Sequence, residues 1–126
     1  MKLAIKSLFI SMALLVVIAF AGCRLAPLPM SEAETNLKNA GYEVTIVDGT
    51  TFADSDENPF LFLVGTELEN YLEAKKGDDV IYMYYFYSID SASDNYTFMS
   101  YSNLRSGQNS KLVYFGTKQA ITDAGL

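Results

Sequence analysis

The sequence predicts an α+β domain: a ferredoxin-like β-α-β-β-α-β antiparallel sheet with helices on one face, and a short helix added at each end. Three observations lead there. Four segments, at 42–47, 67–75, 80–87 and 111–115, are strand-like in alternation or in β-branched and aromatic content. Between and around them lie stretches that start with capping residues and stop at glycine. The 104 residues that follow position 22 suffice for one small domain.

Each element has its own local signal. Residues 24–30, Arg-Leu-Ala-Pro-Leu-Pro-Met, read as a short stiff tether, since Pro27 and Pro29 favour extended backbone. Ser31 and Glu34 have the spacing of a capping box, which opens a helix running to Ala40 and stopping at Gly41. Tyr42 to Val47 alternates as a strand, and Asp48-Gly49 opens a turn. Pro59-Phe60-Leu61-Phe62-Leu63-Val64 has the composition of a buried strand. Its flanks favour a short helix instead, with Asn58 as cap, Pro59 at the first position and Gly65 as stop.

Glu67 to Lys75 alternates again, with Leu68, Leu72 and Ala74 assigned to one face. Lys76-Gly77-Asp78 supplies a tight turn into Val80–Tyr87, so the two runs form a hairpin. The second run is apolar at both odd and even positions, the mark of a central strand. Asp90 caps a helix expected to reach Arg105, with Ala92, Tyr96 and Met99 in one stripe and Gly107 beyond its end. Its Ser, Asn and Thr content gives weak helix propensity, so packing must hold it. Lys111 to Phe115 is the last strand, and Thr117 caps a final helix through Ala124.

The first 23 residues have a different character. Lys2 and Lys6 precede a nearly unbroken apolar run from Ser7 to Phe20, and Phe20-Ala21-Gly22 leads to Cys23, the only cysteine. A charged start, an apolar middle and a small-residue end describe an export signal that is removed rather than folded. The run is short of the ~20 apolar residues of a membrane span. The arrangement resembles the bacterial lipoprotein signal peptide with its lipobox, Phe20 standing where leucine is usual. That resemblance implies cleavage between Gly22 and Cys23 and a diacylglyceryl group on the Cys23 sulfur. It implies a protein held by lipid on the extracytoplasmic side of a membrane of the bacterial cell envelope. The expected organisation is a signal over 1–22, a lipidated tether over 23–30 and one domain over 31–126.

A second resemblance rests on Ala40-Gly41-Tyr42-Glu43-Val44-Thr45, Leu68-Glu69-Asn70-Tyr71-Leu72, Ile81-Tyr82-Met83-Tyr84-Tyr85-Phe86 and Val113-Tyr114-Phe115-Gly116-Thr117-Lys118. These segments are similar to small bacterial lipoproteins of unknown function. They are strand cores and helix ends, so they carry no catalytic residue with them.

Composition narrows the chemistry. Removing the signal, which holds two lysines and no acid, leaves seven basic against fifteen acidic residues and takes the net charge from −6 to −8. Such a domain is ill suited to nucleic acid, whose phosphates need clustered Lys and Arg. The chain has no histidine, the commonest general base and metal ligand, and no tryptophan. With Cys23 consumed, no thiol chemistry or disulfide remains.

Four groups of residues invite a functional reading. Asp54, Asp56 and Glu57 alternate oxygen ligands, but an EF-hand loop needs glycine and glutamate where Pro59 and Gly65 stand, so a solvated acidic loop is the simpler account and a looser calcium site the weaker one. Tyr82, Tyr84, Tyr85 and Tyr87 form a candidate aromatic binding face for a protein, peptide or glycan, against the plainer account of strand propensity. Glu67 with Glu69, or a serine with Lys111 or Lys118, would be the residues of an acid–base or Ser–Lys enzyme. Charged residues in alternating strands ordinarily face water, and the expected function is non-enzymatic and without cofactor. The sequence therefore points to a lipid-anchored envelope module that binds a protein or cell-wall component. The alternative is a small-ligand or metal-ion binding lipoprotein.

Overall fold

A computed structural model describes residues 27–54, 67–98 and 103–126. The described residues form one five-stranded antiparallel sheet and four helices. In chain order these are α1 (Met30–Asn39), β1 (Glu43–Asp48), α2 (Gly49–Ala53), β2 (Leu68–Lys76), β3 (Asp79–Phe86), α3 (Ile89–Phe98), β4 (Arg105–Asn109), β5 (Leu112–Gly116) and α4 (Lys118–Ala124). The strand order is β1-β2-β3-β5-β4, so β3 is central and β1 and β4 are the edges. None of the described helices is long and apolar enough to cross a membrane.

The sheet is antiparallel throughout, as expected. The ferredoxin-like arrangement is corrected in two respects. The stretch around Gly107 is a fifth strand rather than the end of a helix, and helices cover both faces of the sheet rather than one. Ile81, Met83 and Tyr85 of β3 pack with Leu72, Leu112 and the buried residues of α1 and α4, while Tyr84 and Phe86 pack with Phe52 of α2 and Ala92 of α3. The cause lies in β3 itself. An antiparallel strand that is apolar on both sides must be covered on both sides.

Local chemistry sets the boundaries. α1 begins at Met30 with Pro29 as its cap residue, and no side chain caps it. Ser31 therefore lies inside the helix, where its carbonyl accepts from Thr35 Oγ1, and the capping box does not form. The helix end is as expected: Gly41 takes φ +92°, Tyr42 N–H donates to Leu37 O and Gly41 N–H to Lys38 O, closing a Schellman turn. Leu37 and Tyr42 are both buried, which supplies the apolar contact of that motif.

Asp48 and Gly49 do more than turn the chain. Asp48 caps α2, accepting from Thr51 N at 3.0 Å and from Thr51 Oγ1 at 2.6 Å, and these bonds hold its carboxyl below the usual range. Gly49 is buried against the next strand: a Cβ there would lie 1.7 Å from Leu68 O.

Leu68 departs from the expected face. A register irregularity between Leu68 and Asn70 turns Leu68 to the Phe52 and Phe86 side, away from Leu72 and Ala74. One bulged residue reverses the parity of everything before it.

α3 is shorter than its sequence pattern suggests. Ser88, two residues earlier than the expected Asp90, caps it by accepting from Ser91 N at 3.1 Å. Arg105 and Gly107, expected within or just after this helix, lie in β4. Gly107 pairs with Tyr114, and a Cβ at Gly107 would meet the Tyr114 hydroxyl at 2.3 Å, so the ring occupies the space glycine leaves. Thr117 caps α4 as expected, accepting from Ala120 N, and its hydroxyl donates to Asp79 Oδ1 at 2.9 Å, joining α4 to the start of β3.

Candidate functional site

The four tyrosines expected to share a binding face do not share one. Tyr84 is fully buried, facing α2 and α3, and Tyr85 is buried on the opposite side. Tyr82 is half-buried on the Tyr84 side, and only Tyr87, past the strand end, is exposed. Strand alternation divides successive residues between the faces. Tyr84 sits in a line of rings that crosses the sheet. Phe52 stacks on Tyr71 at 4.0 Å and 17°, Tyr71 meets Tyr84 at 5.2 Å, and Tyr84 meets Phe115 edge-on at 6.1 Å. These are core contacts.

The other sequence candidates are dispersed. Asp54 is the exposed C-cap of α2, while Asp56 and Glu57 lie outside the described residues. Among the described residues no group of three or more His, Cys, Asp or Glu side chains could hold a metal ion. Gly22, Cys23 and the Pro59–Val64 segment also lie outside the described residues. Glu67 precedes β2 and Glu69 is exposed at the irregular start of that strand; Lys111 and Lys118 are exposed at a turn and at the start of α4.

A cleft that no sequence motif signalled lies on the two outer strands β1 and β2. It measures about 200 Å³ and is lined by Glu43, Thr45, Glu73 and Lys75. Strand geometry explains the grouping. Glu43 is paired with Lys75 and Thr45 with Glu73, and residues two apart on a strand share a face. The alternation was visible in the sequence, but the register that brings the two pairs together was not.

Within the cleft Glu73 is held at both oxygens. Lys75 Nζ is 2.7 Å from its Oε1, and the Tyr71 hydroxyl donates to its Oε2 at 3.0 Å. Tyr71 belongs to the aromatic line, so the carboxylate is fixed from the core side. Glu43 is exposed at the sheet edge opposite Lys75. Two carboxylates, one ammonium and a threonine hydroxyl give a surface rich in hydrogen-bond acceptors. It is suited to a ligand that brings amine or hydroxyl donors. Beside it, β1 is an edge of the sheet, with one strand neighbour among the described residues.

Comparison of the chain with protein-family models, with curated proteins and with solved structures finds no match in any of the three.

Proposed function

We propose that this chain is a lipid-anchored protein of the bacterial cell envelope, a binding module rather than an enzyme, whose partner is a protein or cell-wall component on the extracytoplasmic side. The observation that carries this reading is Phe20-Ala21-Gly22-Cys23 at the end of the apolar run, followed so closely by folded chain. Leu28, only five residues beyond Cys23, is fully buried, and Tyr85 donates a hydrogen bond to its carbonyl. A tether this short keeps the domain at the membrane surface instead of on a stalk.

The partner-binding surface in this reading is the outer strand pair. Its cleft of Glu43, Thr45, Glu73 and Lys75 presents acceptors to an amine- or hydroxyl-bearing group, while β1, an edge strand among the described residues, can take an added strand. The test is crosslinking in the bacterial cell with the full-length chain, followed by mass spectrometry of the N-terminal peptide and of captured molecules. A diacylated Cys23, and a partner lost both in Cys23→Ala and in Glu43→Lys, are the expected results. An unmodified Cys23 overturns the anchor. A partner retained unchanged in Glu43→Lys overturns the assignment of the surface.

A further inference from the structure

We propose that Tyr87 and Ile89 form a membrane-contact site, resting in the interface of the phospholipid bilayer and fixing the domain's orientation on it. This inference rests on the reading of Cys23 as the lipidated residue. Among the described residues the exposed large apolar side chains are Ile46, Tyr87 and Ile89; Tyr87 is 57% exposed and Ile89 52%. Tyr87 and Ile89 flank Ser88, so the end of β3 and the start of α3 present two large apolar side chains at the surface.

Their place in the fold points to the membrane. Tyr87 directly follows β3, two residues past Tyr85, whose hydroxyl binds Leu28 O at 2.8 Å. Tyr87 is thus within about 7 Å, measured along the backbone, of the residue that holds the incoming chain. Cys23 lies five residues before Leu28, a span of at most about 18 Å even when extended. The end of β3 that exposes Tyr87 and Ile89 therefore lies within reach of a bilayer that holds acyl chains on Cys23.

The side chains suit that surface. Tyrosine, with an apolar ring and a polar tip, belongs at the headgroup level, and isoleucine beside it adds an apolar contact. The charges at this end are mixed. Lys111, whose carbonyl accepts from Phe86 N, and Glu67, whose carbonyl accepts from Tyr87 N, are both here, as is Asp90 in the first turn of α3. The contact is accordingly one of apolar insertion and not of charge attraction. Ile46 lies on β1, separated from β3 by β2, and serves as a control.

The absence of tryptophan from the chain gives a clean probe. Full-length Tyr87→Trp, Ile89→Trp and Ile46→Trp proteins, made in a bacterium, are reconstituted into phosphatidylcholine vesicles containing lipid brominated on its acyl chains. Fluorescence from positions 87 and 89 should be quenched about two-fold or more relative to position 46, since indoles at the interface lie within reach of the bromines. Equal quenching at all three positions, or none at 87 and 89 in vesicle-bound protein, overturns the proposal. The mass of the N-terminal peptide from the same samples reports separately on the anchor. Should Cys23 prove unmodified, the lipid-anchor reading falls. The same chains coupled through the Cys23 thiol to a maleimide lipid then give the same two outcomes for Tyr87 and Ile89.

Discussion

Tyr85 donates a hydrogen bond of 2.8 Å to the carbonyl oxygen of Leu28, tying the central strand to the chain at the point where it joins the domain. Burial raises the Tyr85 phenol above its ordinary pKa, and the negative charge of Glu32 raises it further. The bond reaches back from residue 85 into the segment that the sequence alone marks as tether. The domain's packing therefore begins at Leu28, which is fully buried with Leu37 and Ala124.

Removing that bond should be felt as stability. Tyr85→Phe keeps the ring but leaves a buried carbonyl without its donor, at an expected cost of about 1–3 kcal/mol. Leu28→Ala removes packed volume at the same place and should cost about 2–5 kcal/mol. Urea denaturation of the two variants measures both. A Leu28→Ala protein as stable as wild type would show that the fold does not extend to this residue.

Gly49 is the position where a single methyl group should do most harm. The Cβ of Gly49→Ala would fall 1.7 Å from the backbone oxygen of Leu68, and backbone cannot swing aside as a side chain can. The expected loss exceeds about 3 kcal/mol, in the range reserved for severe overpacking. Gly77, by contrast, has open space around it and only a positive φ of 58° to oppose a side chain. Gly77→Ala should cost about 1–2 kcal/mol. Thermal melting that ranks the two variants in the opposite order would refute this account of the β1–β2 junction.

How much of this was legible in the sequence depends on how locally each feature is determined. Gly41, Gly77 and Thr117 act through their own backbone or nearest neighbours, so the end of α1, the β2–β3 hairpin and the start of α4 could be read in advance. The two apolar faces of β3 were legible as well and marked it as central, although the expected fold placed helices on only one of them. β4 could not be read this way, because Arg105-Ser106-Gly107-Gln108-Asn109 contains no apolar residue. Its extended form comes from pairing with β5, a tertiary cause that overrides local propensity. The candidate cleft was hidden for a related reason. Glu43, Thr45, Glu73 and Lys75 are ordinary strand residues until the β1–β2 register sets them side by side.

Gly107 and Tyr114 should behave as one unit. In Gly107→Ala the new methyl would meet the Tyr114 hydroxyl at 2.3 Å, so the ring must shift, at an expected cost of about 1–3 kcal/mol. With Tyr114→Ala in place the obstruction is gone, and the added cost of Gly107→Ala should fall below about 0.5 kcal/mol. A double-mutant cycle by chemical denaturation measures the coupling. Additive losses would mean that the ring does not rest on the glycine.

The buried tyrosines also set the alkaline limit of stability. Tyr42, buried and donating to Asp123 Oδ2 at 2.8 Å, has its phenol pushed well above the usual value by burial, by that hydrogen bond and by the nearby negative charges of Asp123 and Asp79. Tyr85 is raised in the same direction. In the unfolded chain such phenols lose their protons near pH 10, about their unperturbed value. The folded chain keeps them to higher pH, so over that interval the unfolded state binds fewer protons and stability falls as pH rises. Below about pH 9 both states keep these protons, and the tyrosines give stability no pH dependence. Urea midpoints should therefore decline above about pH 10, and Tyr42→Phe and Tyr85→Phe should each show a shallower decline than wild type. The comparison with wild type cancels the titration of lysines common to all three proteins. Parallel declines in all three would show that neither phenol is held protonated by the fold.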